Sequence, residues 1–165
     1  MAQLGVFTGA RLVSPDKLGR FTLPAVLRNS VPGDPASRAI FITTHENAHC
    51  MVGSGTDRID RIGERLDRAE QLAADRREPF DRFALSRRLY GPGESCPMDK
   101  SGRFTLSETL SEVAEFAGDV FFLGVGDFFE MWDPARLEAQ SDPAFDYAKA
   151  YLRAARRVKA REEAK

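Results

Sequence analysis

The sequence is short of the residues that most often announce a chemistry. It has two cysteines, Cys50 and Cys96, two histidines and one tryptophan in 165 residues. The cysteines show neither Cys-x-x-Cys nor Cys/His ligand spacing, which excludes a disulfide framework and argues against structural zinc. His45, His49 and Cys50 fall close together, but structural zinc takes four well-placed ligands and no fourth accompanies them. No apolar run approaches the ~20 residues of a bilayer-crossing helix. The opening MAQLGVFTGARLV has no basic stretch leading into a long apolar one, so no secretory signal is read there. A soluble, cytoplasmic chain without membrane contact is expected. Nor is there an excess of one charge: 24 Lys+Arg against 25 Asp+Glu leave a net of −1, no basic footprint for the chain as a whole. The Ser, His and carboxylate residues form no paired or triad-like pattern. An enzyme is therefore not expected, nor a cofactor, metal or small-molecule substrate.

What is present is unevenly spread. Residues 1–44 carry Arg11, Lys17, Arg20, Arg28 and Arg38 against Asp16 and Asp34, a net of +3. Residues 95–133 carry two basic and eight acidic side chains, a net of −6. From residue 145 to the end, seven basic residues face three acidic ones, a net of +4. One end of the molecule can attract polyanions while another repels them.

A repeat stands out next. Asp16-Lys17-Leu18-Gly19-Arg20-Phe21-Thr22-Leu23 returns as Asp99-Lys100-Ser101-Gly102-Arg103-Phe104-Thr105-Leu106, identical at seven of eight positions and 83 residues apart. That is a duplicated unit. Weaker likeness follows it, Ile40-Phe41-Ile42 with Val120-Phe121-Phe122, then Cys50-Met51-Val52 with Glu130-Met131-Trp132.

Each copy reads as two hairpins. In the first copy an extended segment at Arg11-Leu12-Val13 meets turn residues, Gly19 supplies a positive φ, and the β-favouring Phe21-Thr22-Leu23 stops at Pro24. A second hairpin joins 39–44 to 48–52, and its counterpart joins 120–125 to 128–132 through Gly126-Asp127. About eight short strands result. Between the copies, Ile59, Ile62, Leu66, Ala69 and Ala73 predict an amphipathic helix over 57–74. A second stretch, 79–89, is expected to turn Phe80, Phe83, Ala84 and Leu85 inward. A last helix over about 144–161 carries Phe145, Ala148, Tyr151, Leu152 and Ala155 on one side and runs into a charged, fraying tail. Half of such a duplication buries too little apolar area to stand alone. The two halves are expected to interlock into one closed or near-closed barrel without exposed strand edges.

The doubled Asp-x-x-Gly-Arg turn, the opening Phe7-x-Gly9 and the ending Phe129-Glu130-Met131-Trp132-Asp133 resemble the MraZ family of bacterial transcriptional regulators. The resemblance implies an α+β fold with a mainly β core: two AbrB/SpoVT-like swapped-hairpin half-barrels forming one pseudo-symmetric β-barrel, with inter-repeat and C-terminal helices. It divides the chain into a first repeat over 8–55, helices over 56–91, a second repeat over 92–135 and a C-terminal helix and tail over 136–165. It further implies a nucleoid-associated regulator that binds promoter direct repeats in double-stranded DNA as a ring-shaped homo-oligomer and represses its own division and cell-wall gene cluster. Two other readings stand beside it, an AbrB- or antitoxin-like regulator of other promoters and an oligomeric protein-interaction module. Family motifs commonly read Asp-x-Lys-Gly-Arg; here Leu18 and Ser101 precede the glycines, the lysines sit one residue earlier, and Ser107 stands in the second copy where Pro24 stands in the first.

The candidate DNA-binding residues are Arg20, Lys17, Arg11, Gly19, Arg28 and Arg103. Arginine suits bidentate recognition of phosphate or guanine, which lysine does not duplicate. Glu108, Glu112, Glu115 and Asp119 crowd the second copy, so the first copy is expected to face DNA and the second to serve chiefly as barrel and subunit interface. Phe121, Phe122, Phe128, Phe129 and Trp132 fit a core or an interface better than a base-stacking platform. The basic run from Arg153 to Lys165 is either an auxiliary arm or the solvated face of a helix.

Overall fold

Among the described residues eight short strands form. The computed structural model describes residues 5–165; residues 1–4, where the stretch read for a targeting signal begins, lie outside the described residues. The first copy supplies β1 (Ala10–Val13), β2 (Phe21–Thr22), α1 (Ala25–Arg28), β3 (Ala39–Thr44) and β4 (Met51–Gly55). Then come α2 (Arg58–Arg76) and α3 (Arg82–Tyr90). The second copy supplies β5 (Glu94–Pro97), β6 (Arg103–Phe104), α4 (Glu108–Ala114), β7 (Val120–Gly124) and β8 (Phe129–Trp132), followed by α5 (Pro134–Glu138) and α6 (Asp146–Glu163).

Strand pairing crosses between the copies. One antiparallel sheet of six strands runs β1-β7-β8-β4-β3-β5, and β2 pairs with β6 in a second, two-stranded ladder. The first strand of each copy thus lies against the β-hairpin of the other, Ala10 opposite Leu123 and Ile40 opposite Cys96. At the centre β4 meets β8, with Met51 opposite Met131. The six-stranded ladder is open, with β1 and β5 as its edges. The fold is therefore α+β with a mainly antiparallel sheet, and among the described residues the hydrogen bonds do not close a barrel.

Alternation explains the layers. Ile40, Ile42, Val120, Phe122, Phe129 and Met131 point to one face, where Phe21, Phe104, Leu27 and Leu110 meet them in the main core. The intervening residues point the other way. Phe41 packs beneath Ile62, Leu66 and Leu89 of α2 and α3, and Phe121 and Trp132 beneath Leu137 and Leu152 of α5 and α6. Each copy's hairpin is thereby roofed by the helices that follow it. Complete burial of a Phe or Leu side chain contributes about 1.5–3 kcal/mol.

Three local expectations need correcting. The first hairpin of each copy closes only at its tip: β1 and β2 part into different ladders. Pro24, without an N–H, ends β2 after two residues, and Phe21 pairs instead with Phe104, ring centroids 6.1 Å apart, inside the core. In α3, Phe83 is 71% exposed and Ala84 is exposed while Leu89 is buried, because Leu85 and Leu89, four residues apart, form the face that packs on Phe41 and Ile62. Finally, α6 continues to Glu163 rather than fraying at its basic run. Lys159 fastens it, its Nζ 2.5 Å from Asp119 Oδ2 and 2.7 Å from Ser14 Oγ.

Candidate nucleic-acid interface

The two repeated turns share one geometry. In the first, the Gly19 N–H donates to the Asp16 carbonyl at 3.0 Å and the Asp16 N–H to the Arg20 carbonyl at 2.8 Å. Gly19 adopts φ +76°, a left-handed conformation that glycine takes without steric penalty. The Asp16 carboxylate organises the rest: Oδ1 accepts from the backbone N–H groups of Leu18 and Arg20, both at 2.9 Å, and Oδ2 accepts from Arg20 Nε at 2.7 Å. The Arg20 backbone N–H, more than its side chain, holds the Asp16 carboxyl below the usual carboxylate range. The second turn repeats this with Asp99, Ser101, Gly102 and Arg103, down to the 2.7 Å contact from Arg103 Nε to Asp99 Oδ2.

This pairing leaves part of the guanidinium unengaged. Only Nε of Arg20 is engaged, and its two Nη nitrogens have no protein partner among the described residues. The planar fork is thus oriented with its outer edge available to an oxyanion or a guanine edge. Lys17 and Leu18 are exposed beside it, Leu18 at 75%.

The surroundings of the two turns differ. A Cβ built on Gly19 meets nothing within 4 Å, whereas at Gly102 it falls 2.5 Å from Arg28 Nη1. Arg28 donates to the Ser101 carbonyl, and Leu23 donates its N–H to the Gly102 carbonyl at 2.9 Å. The first copy therefore grips the second turn. On the other side Ser111 is too short to do the same, and a cleft of about 240 Å³ remains between Gly19, Ser111 and Phe116. The first turn is free and the second is held.

The candidate residues thus fall into three places. Lys17, Gly19 and Arg20 share the free turn, and Arg103 occupies the held one, linked to the first by the ladder that sets Thr22 opposite Arg103. Arg28 is half-buried against the second turn. Arg11 lies apart, exposed on β1, its Nη1 donating to the Ala10 carbonyl and reaching Tyr151 Oη at 3.3 Å. Sequence reasoning did not anticipate that α6 runs beside β1 until Lys159 touches Ser14, one step before the free turn. No local pattern could have located that contact, since 145 residues separate its partners.

The remaining candidates are accounted for by packing. Phe121, Phe122, Phe129 and Trp132 are fully buried on opposite faces of the sheet. Asp119 pairs with Lys159 and Glu115 with Arg136, so part of the acidity of the second copy is neutralised internally. His45 Nδ1 accepts from the Asn47 N–H at 2.9 Å, and among the described residues no three His, Cys, Asp or Glu side chains gather as a metal site. Burial pushes both thiols up, that of Cys96 to about 11, which leaves them poor nucleophiles. Among the described residues no helix is long and apolar enough to cross a membrane.

Comparison with known proteins agrees with this geometry. The family profile described as "MraZ protein, putative antitoxin-like" matches residues 89–158, the second repeat and the helices after it. The chain is similar to the transcriptional regulator MraZ of Xanthobacter autotrophicus, 30% identical over 126 residues that cover 75% of this chain and 74% of the relative. The MraZ regulator of Proteus mirabilis is 30% identical over 129 residues, 78% of this chain and 80% of its own. That of Treponema denticola is 26% identical over 144 residues, 86% and 93% of the two chains. These relatives are transcriptional regulators rather than enzymes. A duplicated Asp-anchored arginine turn, cross-paired copies and likeness along most of the length lead to one assignment: the chain belongs to the MraZ family.

Proposed function

We propose that this chain is a sequence-specific, double-stranded DNA-binding transcriptional regulator whose principal contact is the free first turn. The observation that carries the reading is the Asp16 clamp on Arg20 Nε, which leaves the two Nη nitrogens without a protein partner among the described residues, in an exposed turn. Arg20 contacts a base edge or phosphate, and Gly19 and Lys17 shape and charge the same tip. Arg11 is the flanking phosphate contact. Arg28 acts indirectly, through the second turn that it braces, and Arg103 contributes less than Arg20 because its turn is held and lies in the acidic half. The exchange of first strands between the copies supports two interlocked AbrB/SpoVT-type half-barrels, repeats 8–55 and 92–135, with helices over 56–91 and a C-terminal element over 136–165.

One subunit offers too few cations for tight binding at physiological salt. A ring of subunits sets several copies of Arg20 and Lys17 on one rim and engages promoter direct repeats together, raising affinity through effective concentration. Occupation of the promoter then represses the chain's own division and cell-wall gene cluster, in the cytoplasm at the nucleoid, without a cofactor. The test is a gel-shift titration with DNA from upstream of its own gene. Arg20→Ala is expected to lose more binding than Arg103→Ala, and tandem boxes to bind more tightly than one. Equal losses from the two variants overturn the division of labour; equal affinity for single and tandem boxes overturns the multivalent mechanism.

A further inference from the structure

Away from both turns, one charged side chain lacks the partner that its burial calls for. Arg58 opens α2, and its Nη1 is shielded from solvent with no hydrogen-bond partner among the described residues. Its guanidinium carbon sits 4.2 Å from the centroid of the Phe128 ring, which fixes it in place by a cation–π contact. Of the nearby acids, Asp57 pairs with Arg61 and Glu46 with Arg65 at 3.0 Å, and Asp127 makes no ion pair or hydrogen bond to Arg58. Burial lowers the Arg58 pKa, and the neighbouring charge of Arg65 adds to that, against the pull of Asp127 and Glu46. A shielded guanidinium nitrogen without a hydrogen-bond acceptor is unfavourable until one joins it.

A second orphan lies in the same place. Thr43 Oγ1 is buried without a partner, and Thr43 and Arg58 line one cleft of about 210 Å³. Arg65 stands on its wall with its charge paired to Glu46, which lines the same cleft, and Phe128 and Val52 give it an apolar side. The cleft is built from the β3–β4 connection of the first copy, the turn before β8 of the second copy, and α2. Nothing in the proposed DNA contact uses it. Its size suits a compact ligand rather than a cofactor, since drug-sized sites run to about 300–1,000 Å³.

We propose that this cleft is an anion-binding site for a small molecule bearing a phosphate or carboxylate group. The oxyanion pairs with the guanidinium group of Arg58 and accepts a hydrogen bond from the Thr43 hydroxyl, and the apolar part of the ligand rests on Phe128 and Val52. Such a ligand ties α2 to both copies at once and raises the stability of the whole chain through linkage.

The test uses the full chain at constant ionic strength, with calorimetric titration and thermal unfolding. The probes are inorganic phosphate, a nucleoside monophosphate and an aliphatic carboxylate, each up to about 10 mM, a ceiling for weak binding. At least one probe is expected to bind saturably and raise the melting temperature; whether the phosphates or the carboxylate do so identifies the source of the oxyanion. Arg58→Met keeps the apolar stem against Phe128 and is expected to weaken binding at least about tenfold, since a charge-assisted contact is lost. Thr43→Val, close in shape, is expected to weaken it less, and Arg161→Ala to leave it unchanged. Absence of saturable binding by every probe overturns the proposal, as does unaltered affinity in both Arg58→Met and Thr43→Val. If Arg58→Met instead changes the particle mass while the probes have no effect, the counter-charge is an acidic side chain of a second copy, and the small-molecule site is refuted.

Discussion

Replacing Arg20 by lysine tests the proposed DNA contact, because it keeps the charge and removes the two-nitrogen fork. The Asp16 carboxylate holds Nε at 2.7 Å, so the guanidinium can keep this contact and still present two Nη donors to DNA. A lysine ammonium carries its three donors on one nitrogen, so even if it bridges Asp16 and the duplex it cannot present a planar two-nitrogen fork. The expected loss is therefore one bidentate contact per engaged turn, about 1–3 kcal/mol or roughly 5- to 150-fold against the cognate box. Charge is retained, so binding to a scrambled duplex and the slope of log K against log salt stay near wild type. Arg20→Ala behaves differently: it loses the charge as well, and the slope falls by ~0.9 for each engaged turn. Fluorescence anisotropy on cognate and scrambled duplexes, from about 50 to about 200 mM salt, resolves the two effects. If Arg20→Lys keeps full discrimination between the duplexes, the fork is not being read and the arginine acts only as a charge. That outcome removes the clamp on Nε from any account of recognition.

Other perturbations follow from the same geometry. Gly19→Ala meets open space and carries only the strain of its positive φ, about 1–2 kcal/mol, whereas Gly102→Ala also drives a methyl into Arg28; thermal unfolding is expected to show the larger loss for Gly102→Ala. Arg28→Ala frees the second turn and is expected to lower the melting temperature while leaving the salt slope of DNA binding unchanged; a reduced slope would instead make Arg28 a phosphate contact. The carboxyls of Asp16 and Asp99 are both lowered from 3.8 in the folded chain, first by the arginine backbone N–H groups and then by the guanidinium groups. Their contribution is thus present above the unfolded value and lost as pH falls through the lowered folded values. Stability measured by circular dichroism is expected to decline as pH drops below 3.8, and Asp16→Asn to flatten part of that decline.

The turns were the most legible part of the fold. Asp, Gly and Arg at fixed offsets specify a local hydrogen-bonding pattern, and residues 16–20 and 99–103 adopt it twice. The runs over 120–125 and 128–132 were likewise legible as strands, and a strand's period of two puts Phe122 and Phe121 on opposite faces. It did not tell which strand lies beside which, because a period of two reports facing and not adjacency. Hence β1 and β2 read as a hairpin although β1 belongs with β7. Phe83 differs for another reason: its apolar character suggests burial, but Leu85 and Leu89 make the packed face of α3 and leave that ring outside it. Arg58 carried no signal, since an arginine at the start of a charged helix reads as solvated until Phe128 is placed over it.

The cross-pairing of the copies also governs how the polypeptide comes into being. Ala10 of β1 finds its ladder partner in Leu123, so during synthesis the earliest strand emerges from the ribosome long before the segment that will satisfy its backbone. The nascent first repeat can close β3 against β4 locally, but its outer flanks stay open to any extended chain nearby. Contacts this distant in sequence slow folding and lengthen the exposure to misassembly. A stop codon or split placed between the repeats is therefore expected to yield two aggregating fragments rather than two working half-proteins.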